Sequence, residues 1–250
     1  MTTGIPEWTQ RAEKRGLDPL GMQTTSIALY QQLMPGIGNV TLRMRYYGLY
    51  AWLARSYAKN IGDVSSNAWR SFVRRSEALY ALIAALEGSE KVGAMTTPNA
   101  TPELGVAGVT WANQAIATFP QGRLDFTNNC DLDSGAPQYL AQRFGAFGAA
   151  YGAQLVEVGL LQYIDKHPIP VPSPGLGDTL ARAFEAAIGD AAPLFLEVVA
   201  SARVEKSELR ALQQMLPSRI ESTGEERRLY EELLLGTSLK AVPKANARRL

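Results

Sequence analysis

Apolar and aromatic side chains recur every three or four residues along several long stretches of this 250-residue chain. That spacing places them on one face of an α-helix. It predicts four long helices, at 22–34, 40–59, 66–87 and 137–158. In the second of these, apolar and aromatic groups lie all round the helix, which is typical of a helix at the centre of a fold. We therefore predict an all-α fold.

Prolines and glycines divide the chain. Gly88 is predicted to end the third helix, and Thr223 with Glu226 forms the sequence pattern of a capping box at the start of a late helix. Prolines alternate with other residues along 166–177, which predicts an extended connector. The predicted domains are a multi-helix main domain at 1–165, the proline-rich connector at 166–177 and a smaller C-terminal helical bundle at 178–250.

Cysteine usage indicates the cellular compartment. Cys130 is the only cysteine, so it cannot form an internal disulfide, and we predict a cytoplasmic protein. Residues 1–14 contain Pro6 and two glutamates, and they lack the apolar core of a signal peptide. No apolar run approaches the roughly 18 to 20 residues that cross a bilayer, so no membrane partner is predicted.

The net charge of +1 is unevenly distributed. Residues 1–76 carry 10 basic and 4 acidic side chains, residues 77–200 carry 5 and 13, and residues 201–250 carry 10 and 7. The basic ends either contact an anionic partner or pair with the acidic middle of the chain inside the fold. The near-neutral total argues against a surface devoted wholly to nucleic acid.

Basic and aromatic side chains are interleaved in the second and third predicted helices. The basic members are Arg43, Arg45, Arg55, Lys59, Arg70, Arg74 and Arg75, and the aromatic members include Tyr46, Tyr50, Trp52, Trp69 and Phe72. Such a mixture suits contact with nucleic-acid phosphates, so the seven basic residues are candidate nucleic-acid-binding residues. The alternative is structural, because arginines can stack on rings and pair with Glu77 or Asp63 inside the fold.

A resemblance to known sequences is found in the same region. The strings LMPGIGNVTLRMRYYGLYAWLA, RRSEALYALIA and YLAQRFGAFGAAYGAQLVEVGLL resemble uncharacterised bacterial proteins encoded beside ATPases and nucleases in phage-defence gene clusters. The resemblance spans roughly residues 17–165 and transfers no active-site residue. It implies a non-enzymatic accessory subunit of a multi-protein assembly, with an ATPase and a nuclease subunit as protein partners and duplex DNA as a further contact.

Two alternative functions remain open at this stage. Carboxylates at Asp125, Asp131 and Asp133 suit a divalent metal, which would make the protein a metal-dependent nuclease or hydrolase. Glycines at 145, 148 and 152 predict close helix packing, which would suit a homo-oligomeric scaffold. His167, the only histidine, lies in the proline segment and is interpreted as a solvated residue, and Cys130 is interpreted as structural. No phosphate-binding or dinucleotide-binding loop is found, so no cofactor is predicted.

Overall fold

The structure is a computed structural model, and it describes residues 25–26, 28–29, 36–38, 41, 43–92, 105–164 and 167–236. The predicted helix at 22–34 therefore lies largely outside the described residues. Where residues of that stretch are described, at 25–26 and 28–29, they are helical.

The described residues are mostly helical, so the all-α prediction is confirmed. The helices are α1 (Arg45–Asn60), α2 (Ser66–Val92), α3 (Val109–Ala117), α4 (Thr127–Cys130), α5 (Gly152–Glu157), α6 (Leu176–Ile188), α7 (Ala191–Ser201), α8 (Lys206–Ala211) and α9 (Glu225–Leu235). Shorter turns are a π-helical turn at Phe147–Tyr151 and 3₁₀ turns at Leu212–Met215 and Pro217–Arg219. The four strands, β1 (Leu124–Asp125), β2 (Leu161–Gln162), β3 (Val171–Pro172) and β4 (Arg203–Val204), pair antiparallel as β1 with β4 and β2 with β3.

Helix α1 is the central helix that the sequence predicts. Its first ten residues, from Arg45 to Ala54, are all buried. Trp52 packs its ring against Phe184 of α6 and Phe195 of α7, with ring centroids 5.7 Å apart in both pairs. A helix with apolar side chains all round it needs neighbours on several sides. Here α1 contacts α6, β3, α2 and the π-helical turn, and Phe195 of α7 packs on Trp52.

Helix α2 begins where predicted but ends later. The Ser65 hydroxyl accepts a hydrogen bond from the backbone N–H of Ala68, as expected of a residue that caps a helix N-terminus. Gly88 was predicted to end the helix, and this is wrong, since α2 continues to Val92. Glycine in a helix interior costs about 1 kcal/mol relative to alanine, which long continuous packing on either side can offset.

The predicted helix at 137–158 is wrong over its first half. Residues 137–144 form an irregular segment, and the helical path starts at Gly145 and passes through the π-helical turn into α5. Gly145, just before that turn, has a φ of 59°, in the left-handed region that favours glycine. An added Cβ there would collide with the Tyr139 hydroxyl and the Glu77 carboxylate. The absence of a side chain at Gly145 therefore lets these two groups of the same chain lie close to its backbone.

The proline-rich segment does not separate two domains. Its strand β3 pairs with β2, and α6 begins at Leu176, within the segment, and packs along α1. One continuous hydrophobic core extends from Ile37 to Leu233 and takes in side chains from both sides of the prolines. The predicted division into a main domain, a connector and a separate C-terminal bundle is therefore wrong, because apolar faces on either side are buried against each other.

The described helices include none that is both long and apolar enough to cross a membrane.

Candidate functional site

The structure scatters the seven basic residues predicted to bind nucleic acid. They fall into three groups according to their surroundings. Arg45 and Arg74 are buried, and Arg43 and Arg55 are partly buried and bonded within the fold. In the third group, around the facing ends of α1 and α2, Lys59 is exposed and Arg70 and Arg75 are partly buried.

Arg45 belongs to the core. Its side chain is fully buried, and its guanidinium forms a two-pronged ion pair with the carboxylate of Glu226 in α9, at 3.0 and 3.1 Å. It also donates to the carbonyl oxygens of Gln214 and Leu216. Its prediction as a nucleic-acid contact is wrong, because the side chain is fully buried and four of its five N–H groups donate inside the fold. The predicted capping box of Thr223 and Glu226 does not form, because the Glu226 carboxylate points into the core and pairs with Arg45.

Arg74 is also an internal residue. It is 1% exposed and donates to the carbonyl oxygens of Cys130, Leu140 and Gln142 and to the side-chain oxygen of Gln138. Its guanidinium lies over the Tyr139 ring, 4.8 Å from the centroid. Arg74 thereby fixes the irregular segment before the π-helical turn, and its prediction as a nucleic-acid contact is wrong.

Arg55 and Arg43 have partners within the chain. Arg55 pairs with Asp178 at 3.0 Å and with Glu185 at 2.8 Å, both on α6, so its charge is compensated. Arg43 donates to the carbonyl oxygen of Gly105 at 3.3 Å. The structural alternative from the sequence is thus correct for several arginines, but their partners are neither Glu77 nor Asp63.

Arg70 and Arg75 come together at one polar crevice. The crevice has a volume of about 150 Å³, and Ser71, Thr127 and Asp131 also line it. Within the described part of the chain, neither arginine has a carboxylate within the 4.0 Å of an ion pair. Arg75 donates one hydrogen bond, to the carbonyl oxygen of Ala200 at 3.1 Å, which holds its guanidinium beside the C-terminal end of α7. The crevice therefore presents uncommitted guanidinium donors to an anion.

A larger apolar groove adjoins the crevice. It lies between α1, α2 and α7, has a volume of about 410 Å³, and is lined by Tyr57, Phe72, Leu196 and Val199 among others. Ser71 and Arg75 line both cavities, so the two meet at those residues. Lys59 lies on the surface in the last turn of α1, next to Asn60 at the groove. We call the crevice and the groove together the α1–α2 cleft.

The acidic loop does not form a metal site. Asp125 accepts hydrogen bonds from Arg203 at 2.9 Å and from the backbone N–H of Thr127 at 3.0 Å, and these donors hold the pKa of its carboxyl below the usual range. Asp131 accepts from the backbone N–H of Asp133. The described residues contain no group of three or more side chains placed to hold a metal ion, so the alternative in which Asp125, Asp131 and Asp133 converge on a metal has no support there.

Cys130, which was interpreted from the sequence as structural, is a buried free thiol. Burial raises the pKa of its thiol to about 12, with the nearby Arg74 opposing that shift. A thiol with so high a pKa is not a nucleophile at neutral pH. His167 is partly buried, and its backbone N–H donates to the carbonyl oxygen of Ile164.

Glu77 is a buried carboxylate that sequence reasoning did not single out as a site. It accepts four hydrogen bonds, from the hydroxyls of Tyr50 and Tyr139 and from the backbone N–H groups of Ala146 and Phe147. Burial raises the pKa of Glu77, and the four donors oppose the shift. Two of those donors belong to the start of the π-helical turn, so Glu77 anchors that turn to α2. The spacing of charges along α2 gives no signal of this role.

Comparisons with known proteins give no further guide, since no protein-family description, curated protein or solved structure matches this chain.

Proposed function

We propose that the protein is a non-enzymatic interaction subunit of a multi-protein bacterial assembly, of the kind encoded in phage-defence clusters. In this proposal it binds partner proteins, an ATPase and a nuclease subunit among them, and contacts duplex DNA. The contact with DNA phosphates is made by Lys59, Arg70 and Arg75 rather than by all seven basic residues.

The observation that supports this proposal is the pair of uncompensated guanidinium groups at the crevice. Nine other arginines of the described chain form ion pairs with carboxylates. Arg70 and Arg75 do not, although both are only partly buried and stand on one helix. Arg143 also has no such pair among the described residues, but it does not line the crevice. Phosphate oxygens suit the forked donor geometry of arginine, and such contacts position a protein on DNA without reading its sequence.

The two alternative functions have less support. A metal-dependent nuclease needs carboxylates that converge, and the three aspartates do not. A scaffold built on the glycine-containing face would need those glycines free for another chain. An added Cβ at Gly145, Gly148 or Gly152 would instead meet Tyr139, Phe144 or Phe147 of the same chain.

The test is a titration of a fluorescently labelled DNA duplex, read by anisotropy at several salt concentrations. Three phosphate contacts predict a slope of log K against log salt of about −2.7, and Arg70→Ala with Arg75→Ala should reduce it to about −0.9. Arg227→Ala combined with Arg228→Ala is the matched control, because it also removes two positive charges, from exposed positions on α9. An unchanged slope in the double variant, or no binding by the original protein at low salt, would refute the DNA contact.

A further inference from the structure

The apolar groove of the α1–α2 cleft has the dimensions of a small-molecule site. Its volume of about 410 Å³ falls within the range of about 300–1,000 Å³ that is usual for ligand pockets. Tyr57, Phe72 and Val199 are buried beneath it, and Leu196 is partly buried. Tyr57 turns its hydroxyl away to the carbonyl oxygen of Asp63, at 2.8 Å, so the ring is free to serve as an apolar wall.

The polar end of the cleft carries positive charge. Arg75 lines both the groove and the crevice, and Arg70 lies on the crevice beyond it. Asp131 also lines the crevice, which leaves one net positive charge there. The bond from Arg75 to Ala200 orients its guanidinium, while its remaining N–H groups have no partner among the described residues. An oxyanion in the crevice could therefore accept hydrogen bonds from the remaining N–H groups of Arg75, whose guanidinium is already oriented.

From this arrangement we infer that the α1–α2 cleft binds a small amphipathic oxyanion, with its apolar body in the groove and its carboxylate or phosphate in the crevice at Arg70 and Arg75. The complementary parts are adjacent and share Ser71 and Arg75 as a common wall, so one molecule of modest length can occupy both. Ligand pockets are commonly apolar with a few convergent polar groups, and here those groups gather at one end. This inference goes beyond the proposed function and does not depend on it.

The test uses decanoate and decyl phosphate as probes, each below its micelle concentration, with binding measured by isothermal titration calorimetry on the full chain. Decanol and inorganic phosphate serve as the two half-ligands. We expect both amphipathic probes to bind at one site and both half-ligands to bind at least about tenfold more weakly. Preference between the two probes identifies the head group. Equal binding of decanol and decanoate would overturn the inference, as would association only with micelles or vesicles.

Variants separate the two halves of the cleft. Arg75→Ala should weaken binding of both probes about tenfold or more, because it removes the charged donor that both cavities share. Ala200→Leu places a larger side chain into the groove from α7, and Ala68→Leu does so from α2, so each should abolish binding. The matched control is Ala186→Leu, at an exposed position on α6 that does not line the cleft. Loss of binding in the control, or retention in both groove variants, would contradict the assignment.

The same variants distinguish this inference from the DNA proposal. Ala200 and Ala68 carry no charge, so filling the groove should leave the salt dependence of DNA binding unchanged. Arg75→Ala should affect both measurements. If Ala200→Leu abolishes probe binding while the DNA titration shows no contact, the inference stands and the DNA proposal falls.

Discussion

Replacing Glu226 by alanine should destabilise the protein severely. The change would leave the guanidinium of Arg45, which is 0% exposed, without its counter-charge and without two of its hydrogen bonds. The hydroxyl of Tyr230 would also lose its acceptor at 2.8 Å. Removing one partner of a buried ion pair typically costs about 3–5 kcal/mol. That is a large part of the roughly 5–15 kcal/mol by which proteins of ordinary stability remain folded.

The assay is urea denaturation of the original protein and the Glu226→Ala variant, followed by circular dichroism and tryptophan fluorescence. The matched control is Glu231→Ala, on the same helix, whose side chain is 50% exposed and pairs with Arg227. Surface pairs of this kind contribute roughly 0–1 kcal/mol, so the control should change the free energy of unfolding little. The two probes should report one transition, because a single core joins α1 to α9.

A double-mutant cycle sharpens the test. Arg45→Met combined with Glu226→Leu leaves no unpaired charge in the core. The double variant should therefore lose clearly less free energy of unfolding than the sum of the losses in Arg45→Met and in Glu226→Leu. If Glu226→Ala costs less than about 1 kcal/mol, or if the double change is additive, the argument from the buried pair is refuted.

Two further predictions concern the conformation of two glycines and the protonation of Glu77. Gly145→Ala should lower the free energy of unfolding by about 2 kcal/mol or more, because it combines a φ of 59° with a collision at Glu77. Gly88 lies inside α2, and no described atom lies within 4 Å of a Cβ added there. Gly88→Ala should therefore raise the free energy of unfolding by about 0.5–1 kcal/mol. Equal effects of the two glycine substitutions in urea denaturation would contradict this expectation. Because burial raises the pKa of Glu77, the folded state holds its proton more tightly than the unfolded state, whose pKa is about 4.3. Stability should therefore fall as pH rises from about 4.3 to the raised value, and an unchanged slope in Glu77→Gln would exclude this cause.

The helices that could be predicted from the sequence are those whose pattern is local. The spacing of apolar residues along 40–59 and 66–87 locates the end of α1 and the start of α2 to within one residue, and the other end of each helix to within five. The all-round apolar character of α1 correctly predicts its central place. The segment before Gly145 is apolar at helical spacing too. It is held in an irregular path because Arg74 donates to the carbonyl oxygen of Gln142 and Glu77 accepts from the Tyr139 hydroxyl. Such tertiary bonds override local preference and leave no periodic signal.

The roles of the arginines depend on partners that are distant in sequence. Arg45 and Glu226 are 181 positions apart, and nothing near Arg45 marks it as buried. Arg70 and Arg74 stand one turn apart on the same helix, yet one lines a surface crevice and the other lies in the core. Sequence reasoning could place these residues on helices rich in aromatic groups. It could not separate the cations at the surface from those inside the fold.

The most direct test of the interaction-subunit proposal is affinity capture of the tagged, full-length protein from the cells that make it, with and without nuclease treatment, followed by mass spectrometry. We predict that an ATPase or a nuclease subunit is recovered in near-stoichiometric amount and survives nuclease treatment. DNA should be recovered with the original protein and depleted in the Arg70→Ala, Arg75→Ala variant. Recovery of the protein alone, in both arms of the experiment, would contradict the proposal.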